Sequence, residues 1–196
     1  MHTSKVTIKS TISAGDKNGT YLNTTVDANF LDSNGNVLNS GQAIFEVGGK
    51  VFKANVNNGL AVADIDLGVG KYNVIIKNPN TNEEMEVDLQ IEKAEQEITV
   101  LINQEGKNII FDITVDKGVQ DGYFYLHIPK FDAIRDNYVN GKIILTFNNL
   151  TVGSHSYVLY ISGNENYTSI YEFFYPEFVV TDENMELAAD DLTVYY

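Results

Sequence analysis

The sequence predicts an all-β protein built as two β-sandwich domains in tandem. Helical periodicity is nearly absent, whereas apolar and polar residues alternate in segments of about five to ten residues bounded by Gly, Asn and Asp. A turn-and-strand motif occurs twice: Leu67-Gly68-Val69-Gly70 followed by Tyr72 and Val74, and Leu150-Thr151-Val152-Gly153 followed by Tyr157 and Leu159. The 196 residues suit two sandwiches of about 100 residues, although length alone also admits one large domain.

In the first half, strands are expected near residues 6–13, 21–31, 42–47, 50–56, 60–67, 71–77 and 85–91. The period of two turns Val26, Ala28 and Phe30 inward, and likewise Ala43, Phe45 and Val47. Phe52, Ala54 and Val56, then Tyr72, Val74 and Ile76, then Val87, Leu89 and Ile91 follow the same rule. Asp32-Ser33-Asn34-Gly35-Asn36, Gly48-Gly49 and Asn57-Asn58-Gly59 supply residues that tolerate positive φ at hairpins, and Asn78-Pro79-Asn80 marks a further turn.

The second half repeats the layout, with strands expected near 97–103, 108–116, 122–128, 142–147, 156–162 and 169–180. Ile109, Phe111, Ile113 and Val115 alternate with Ile110, Asp112, Thr114 and Asp116. Residues 130–138 depart from the pattern and read either as a short helical turn around Phe131-Asp132-Ala133-Ile134-Arg135 or as an irregular crossover. The boundaries that follow are 1–93 and 94–180 for the two domains, with 181–196 as an acidic linker and the first strand of a following repeat. The charged stretch Glu92-Lys93-Ala94-Glu95-Gln96-Glu97 is a linker short enough to favour an extended, semi-rigid rod.

Composition narrows the function. Hydrophobic residues make up 43% of the chain, enough for packed cores. Thirteen basic and 27 acidic residues give a net charge of −14, a sign that repels phosphate backbones and anionic lipids, so nucleic acid is not an expected partner. The charge divides as −3 for 1–93, −6 for 94–180 and −5 for 181–196, making the last segment the most acidic by density. With no cysteine, disulfides, thiol catalysis and thiolate metal sites are excluded. No run approaches the ~20 apolar residues of a membrane span, and Met1-His2-Thr3-Ser4 lacks the apolar region of a signal peptide, so an export signal is expected outside these residues.

Further detail comes from Asp32-Ser33-Asn34-Gly35-Asn36 ahead of residues 43–52, from Asn58-Gly59-Leu60-Ala61, and from residues 67–72. In the second half, Gly153-Ser154-His155-Ser156-Tyr157 and Ser162-Gly163-Asn164-Glu165-Asn166-Tyr167-Thr168 add to these. Together they resemble the bacterial and archaeal immunoglobulin-like repeats of large adhesin-like surface proteins, including those of methanogenic archaea. The resemblance covers the whole chain and implies two immunoglobulin-like sandwiches, an extracellular, cell-surface location, neighbouring repeats in the parent chain and no catalytic signature. It also implies that residues 189–196 open the next repeat, in which case Leu192 to Tyr196 would pair on an open sheet edge or stay flexible. Residues 129–138 have no counterpart in the first domain, and the second domain lacks the Asp-x-Asn-Gly turn.

Candidate chemistry is sparse. His2, His127 and His155 are far apart and outside any metal-ligand spacing, so no catalytic, metal or cofactor residue is assigned. Asp32-Ser33-Asn34-Gly35-Asn36 lacks the distal glutamate of an EF-hand and reads as a hairpin turn. Asp132 with Asp136, or Asp190 with Asp191, would make a glycosidase pair only if held apart at a fixed distance, and nothing in the sequence holds them.

The better signal is aromatic. If Phe124, Leu126 and Ile128 point inward, then Tyr123, Tyr125 and His127 share the outer face of one strand, where tyrosines stack on sugar rings or anchor a protein interface. The competing reading packs them against residues 129–138 or a neighbouring domain. Four Asn-x-Ser/Thr sequons, at Asn18, Asn23, Asn149 and Asn166, fit an exported protein. The expected function is a non-enzymatic stalk and adhesion segment with surface-protein or glycan partners. The alternative is a carbohydrate-binding accessory module of a secreted glycoside hydrolase.

Overall fold

The computed structural model describes residues 9–172 and 177–182. The chain divides into two compact units, Met1–Lys93 and Ala94–Tyr196. Each is an immunoglobulin-like β-sandwich, and no helix occurs among the described residues. Residues 189–196, expected to open a further strand, lie outside the described residues, as do His2, Phe173, Phe174 and Tyr175.

The first unit contains β1 (Ile12–Ser13), β2 (Lys17–Thr20), β3 (Thr25–Phe30), β4 (Gln42–Val47), β5 (Lys50–Asn55), β6 (Leu60–Asp64), β7 (Gly70–Lys77) and β8 (Glu84–Glu92). One sheet runs β1-β3-β6 and faces a second, β2-β8-β7-β4-β5. The inward alternation of each strand fills the space between them: Val26, Ala28 and Phe30 pack with Phe45, Ile76 and Leu89 in one buried cluster. Phe52 and Tyr72 are only partly buried at its margin.

Strand β2 was not legible in the sequence. After β1 the chain leaves the first sheet, and Lys17–Thr20 joins the second by parallel pairing with β8, from Lys17↔Leu89 to Thr20↔Glu92. Lys17-Asn18-Gly19-Thr20 has no apolar alternation, so backbone pairing alone makes it a strand. Gly19 is required there, because a Cβ would run into the side chain of Thr24. Thr24 is buried and donates its hydroxyl to the Thr20 carbonyl at 2.8 Å, closing a turn that delays the expected strand at 21 until Thr25.

The second unit contains β9 (Glu97–Glu105), β10 (Asn108–Lys117), β11 (Gly122–His127), β12 (Ile134–Tyr138), β13 (Lys142–Phe147), β14 (Gly153–Ser156), β15 (Val158–Ile161), β16 (Ile170–Glu172) and β17 (Glu177–Val180). Its sheets run β13-β10-β9 and β12-β11-β15-β16, with β14 paired to β17. Phe111 is at the centre of the core and meets Phe147, Tyr157 and Phe178 edge to face, with centroids 5.0–5.7 Å apart.

Three sequence expectations change here. The 130–138 segment is neither a helical turn nor an irregular crossover: after a tight turn at Lys130, residues 134–138 form β12, antiparallel to β11. The strand expected at 156–162 is two shorter ones, β14 and β15, flanking the buried Tyr157. The linker is shorter than expected. Glu92 closes β8, while Ala94 and Gln96 are already buried in the second unit. There Ala94 bridges Tyr167 in parallel, and the Gln96 amide donates to the Ser162 and Thr168 carbonyls and accepts from Val119 N.

Candidate ligand-binding surface

The outer face of the β12-β11-β15-β16 sheet is built by the same alternation that fills the core. On β11, Phe124 and Leu126 point inward and are buried, so Tyr123, Tyr125 and His127 point outward. On β12, Ile134 and Tyr138 face the core, leaving Arg135 and Asn137 outside; on β15, Leu159 and Ile161 are buried and Tyr160 lies outside. Ile170 packs on the core and Tyr171, next along β16, is 57% exposed.

Register turns these separate choices into a row. Tyr125 is paired with Arg135 on one side and Tyr160 on the other, and Tyr160 is paired with Tyr171. The line Arg135–Tyr125–Tyr160–Tyr171 therefore crosses all four strands, a span of roughly 14 Å at about 4.8 Å per strand. Tyr160 and Tyr171 rings are 4.7 Å apart, Tyr123 and Tyr160 6.2 Å, and Tyr125 and His127 6.3 Å, each pair tilted. The Arg135 guanidinium carbon lies 5.1 Å from the Tyr125 ring centroid, a cation–π contact.

Tyr123, Tyr125 and His127 are thus brought together on one face, with Tyr123 38% exposed. Of the competing reading, one side-chain contact is present among the described residues: Arg135 of the 129–138 segment covers part of Tyr125. Tyr160, Tyr171 and Arg135 were not assigned to this face from sequence. Alternation around Leu159 and Ile161 points Tyr160 outward, but which strands become neighbours is a property of the folded sheet.

The other candidates are dispersed. His155 lies on β14, stacked on Phe178 with centroids 5.5 Å apart, its Nε2 2.6 Å from the Thr151 carbonyl oxygen. The Asp32 carboxylate accepts from the amides of Asn34 and Asn36 at 2.8 and 2.9 Å. These bonds, that of Asn36 foremost, hold its carboxyl below the ordinary aspartate value, and the loop is a hairpin turn. Asp136 accepts from Asn137 N at 2.7 Å, Asp132 is exposed, and Asp190 and Asp191 lie outside the described residues. Among the described residues, no group of three or more His, Asp or Glu is arranged to hold a metal ion. No helix among them is long and apolar enough to cross a membrane. The sequon residues Asn18, Asn23 and Asn149 are exposed and Asn166 is half-buried.

No protein-family model and no curated protein matches the sequence. Among solved structures, the chain is similar to the FN1-FN3 domains of chicken CNTN1, with 11% identity and a TM-score of 0.30 over 85% of this chain and 63% of that one. It is also similar to the D0-D1 domain of Intimin, with 14% identity and a TM-score of 0.30 over 83% and 97% of the two chains. The fibronectin(III)-like modules of Clostridium thermocellum CbhA give 10% identity and a TM-score of 0.28 over 82% and 90%. The chain spans less than two thirds of the length of the first of these.

Proposed function

We propose that this chain is a tandem immunoglobulin-like segment of an adhesin-like protein, extracellular and at the cell surface. It acts as stalk and, through the second unit, as a non-catalytic binding surface for a glycan or a surface protein. The observation that carries the reading is the row of outward aromatic side chains centred on Tyr125 and Tyr160. Tyr125 and Tyr160 are half-buried between the exposed Tyr123 and Tyr171, and the outer face of such a ring meets the C–H side of a sugar with little side-chain entropy to lose. The net charge of −14 disfavours nucleic acid and anionic membranes as partners. The same row also supports the second reading, a carbohydrate-binding accessory module of a secreted glycoside hydrolase.

The test is an array of glycans and surface proteins probed with the intact chain and with Tyr125→Ala and Tyr160→Ala variants whose amide spectra show them folded. Selective binding that both substitutions abolish is expected. Absence of any selective ligand, or binding that survives both substitutions, would overturn the binding half of the reading and leave a stalk.

A further inference from the structure

Arg135 is the chain's single arginine, set among 27 acidic residues. It is exposed, and among the described residues it makes no salt bridge and has its side-chain contact with the face of Tyr125. In so acidic a protein an arginine free of carboxylates is the unexpected arrangement, and the fold produces it by alternation. The outward positions of β12, β11 and β15 carry Arg135, Asn137, Tyr123, Tyr125, His127, Val158 and Tyr160, none of them acidic. Tyr171 continues the face on β16. The nearest acid along β12, Asp136, is paired opposite the inward Phe124 and spends a carboxylate oxygen on Asn137 N.

We infer that Arg135 and Tyr125 form a subsite for the carboxylate of a uronate-bearing glycan chain, whose following sugars stack on Tyr160 and Tyr171. The inference rests on the proposed binding function and adds the class of ligand. A guanidinium seated on an aromatic ring keeps its N–H edge for a second partner, and its planar fork matches a carboxylate. The row runs roughly 14 Å, four strands wide, so it suits an extended stretch of chain rather than one terminal sugar. The net charge of −14 that disfavours nucleic acid is carried away from these positions: the outward residues of β11, β12 and β15 include no acid, and charges farther than about 8 Å are largely screened at physiological salt.

The experiment is calorimetric titration of the intact chain with tetragalacturonate, with its fully methyl-esterified form, and with sialyllactose against lactose. Tetragalacturonate is expected to bind about tenfold or more tighter than its ester. Arg135→Gln should remove that preference while sparing the residual affinity shared with the ester, Arg135→Lys should keep part of it, and Tyr125→Ala should weaken both. Equal affinity for acid and ester, or a preference that survives Arg135→Gln, overturns the inference and leaves glycan binding intact. A preference for sialyllactose over tetragalacturonate overturns the uronate assignment. If no sugar binds, the inference falls, and with it the glycan half of the proposed function.

Discussion

The phenol of Tyr72 donates a 2.9 Å hydrogen bond to the carbonyl oxygen of Gly68, four residues earlier, pinning the turn that enters β7. This is the tyrosine corner of immunoglobulin-like sandwiches. In the second unit β14 begins at Gly153 as β7 begins at Gly70, which aligns Tyr72 with His155 rather than with Tyr157. His155 makes the same four-residue reach, to Thr151, while Tyr157 occupies the buried place of Val74. Tyr72→Phe keeps the ring and loses the bond, so a destabilisation of about 1 kcal/mol is expected in urea unfolding. His155→Tyr is expected to be tolerated and His155→Ala to cost more; equal losses from both would contradict the alignment.

Asn78 is buried at the end of β7, where its side-chain amide donates to the Thr11 and Leu31 carbonyls and to the Thr11 hydroxyl. Its side-chain oxygen accepts from Asn80 N and Thr81 N. One side chain thus ties the start of β1 and the end of β3, neighbours at one end of the first sheet, to a turn of the second. Asn78→Ala leaves buried groups unpaired and should cost roughly 3 kcal/mol. Asn78→Asp can accept but not donate, so it should not restore the loss. Denaturant midpoints of the two variants decide it.

Glu83 grips the same corner, accepting from the Ser10 hydroxyl at 2.6 Å and from the Thr11 amide and hydroxyl at 2.8 and 2.6 Å. The Ser10 bond first, then those of Thr11, hold its carboxyl below the ordinary glutamate value of 4.5. The stabilisation is therefore complete above pH 4.5 and is lost as pH falls through the lower folded value. The Thr11 amide chemical shift should move in that acid window, and Glu83→Gln should abolish the movement.

Tyr138 is buried against the edge glycine of β11, its hydroxyl donating to the Val119 carbonyl at 2.9 Å. A Cβ on Gly122 would lie 2.7 Å from that hydroxyl, so Gly122→Ala must displace the ring. Burial, and then the charge of Asp121, push the phenol up to about 12 from an ordinary 10.0. The folded state's advantage from a neutral Tyr138 is whole below pH 10 and disappears as pH rises to about 12. Ultraviolet titration should show a late tyrosine step that is lost in Tyr138→Phe, a variant also expected to lose about 1–2 kcal/mol. Gly122→Ala is expected to lose more.

Strands such as β3, β4 and β10 were readable because one face of each is buried, and burial writes itself into the sequence as alternation. Strand β2 was not, since Lys17-Asn18-Gly19-Thr20 buries no large side chain and depends on β8, distant in sequence. Strand β12 was hidden because only Ile134 and Tyr138 of its five residues face the core. For the proposed binding surface, the period of two set the outward direction of Tyr123, Tyr125 and His127. The partners Arg135, Tyr160 and Tyr171 come from the register of β11 with β12 and of β15 with β11 and β16, which local pattern does not encode.

The most direct test of the aromatic face is amide and side-chain chemical-shift mapping of the intact chain as a glycan or protein ligand found on the array is added. The shifts should concentrate on Arg135, Tyr123, Tyr125, Tyr160 and Tyr171, with the outward residues of β3 and β6 unmoved. Shifts gathered on the β3-β6 face, or anywhere else in the first unit, would contradict it.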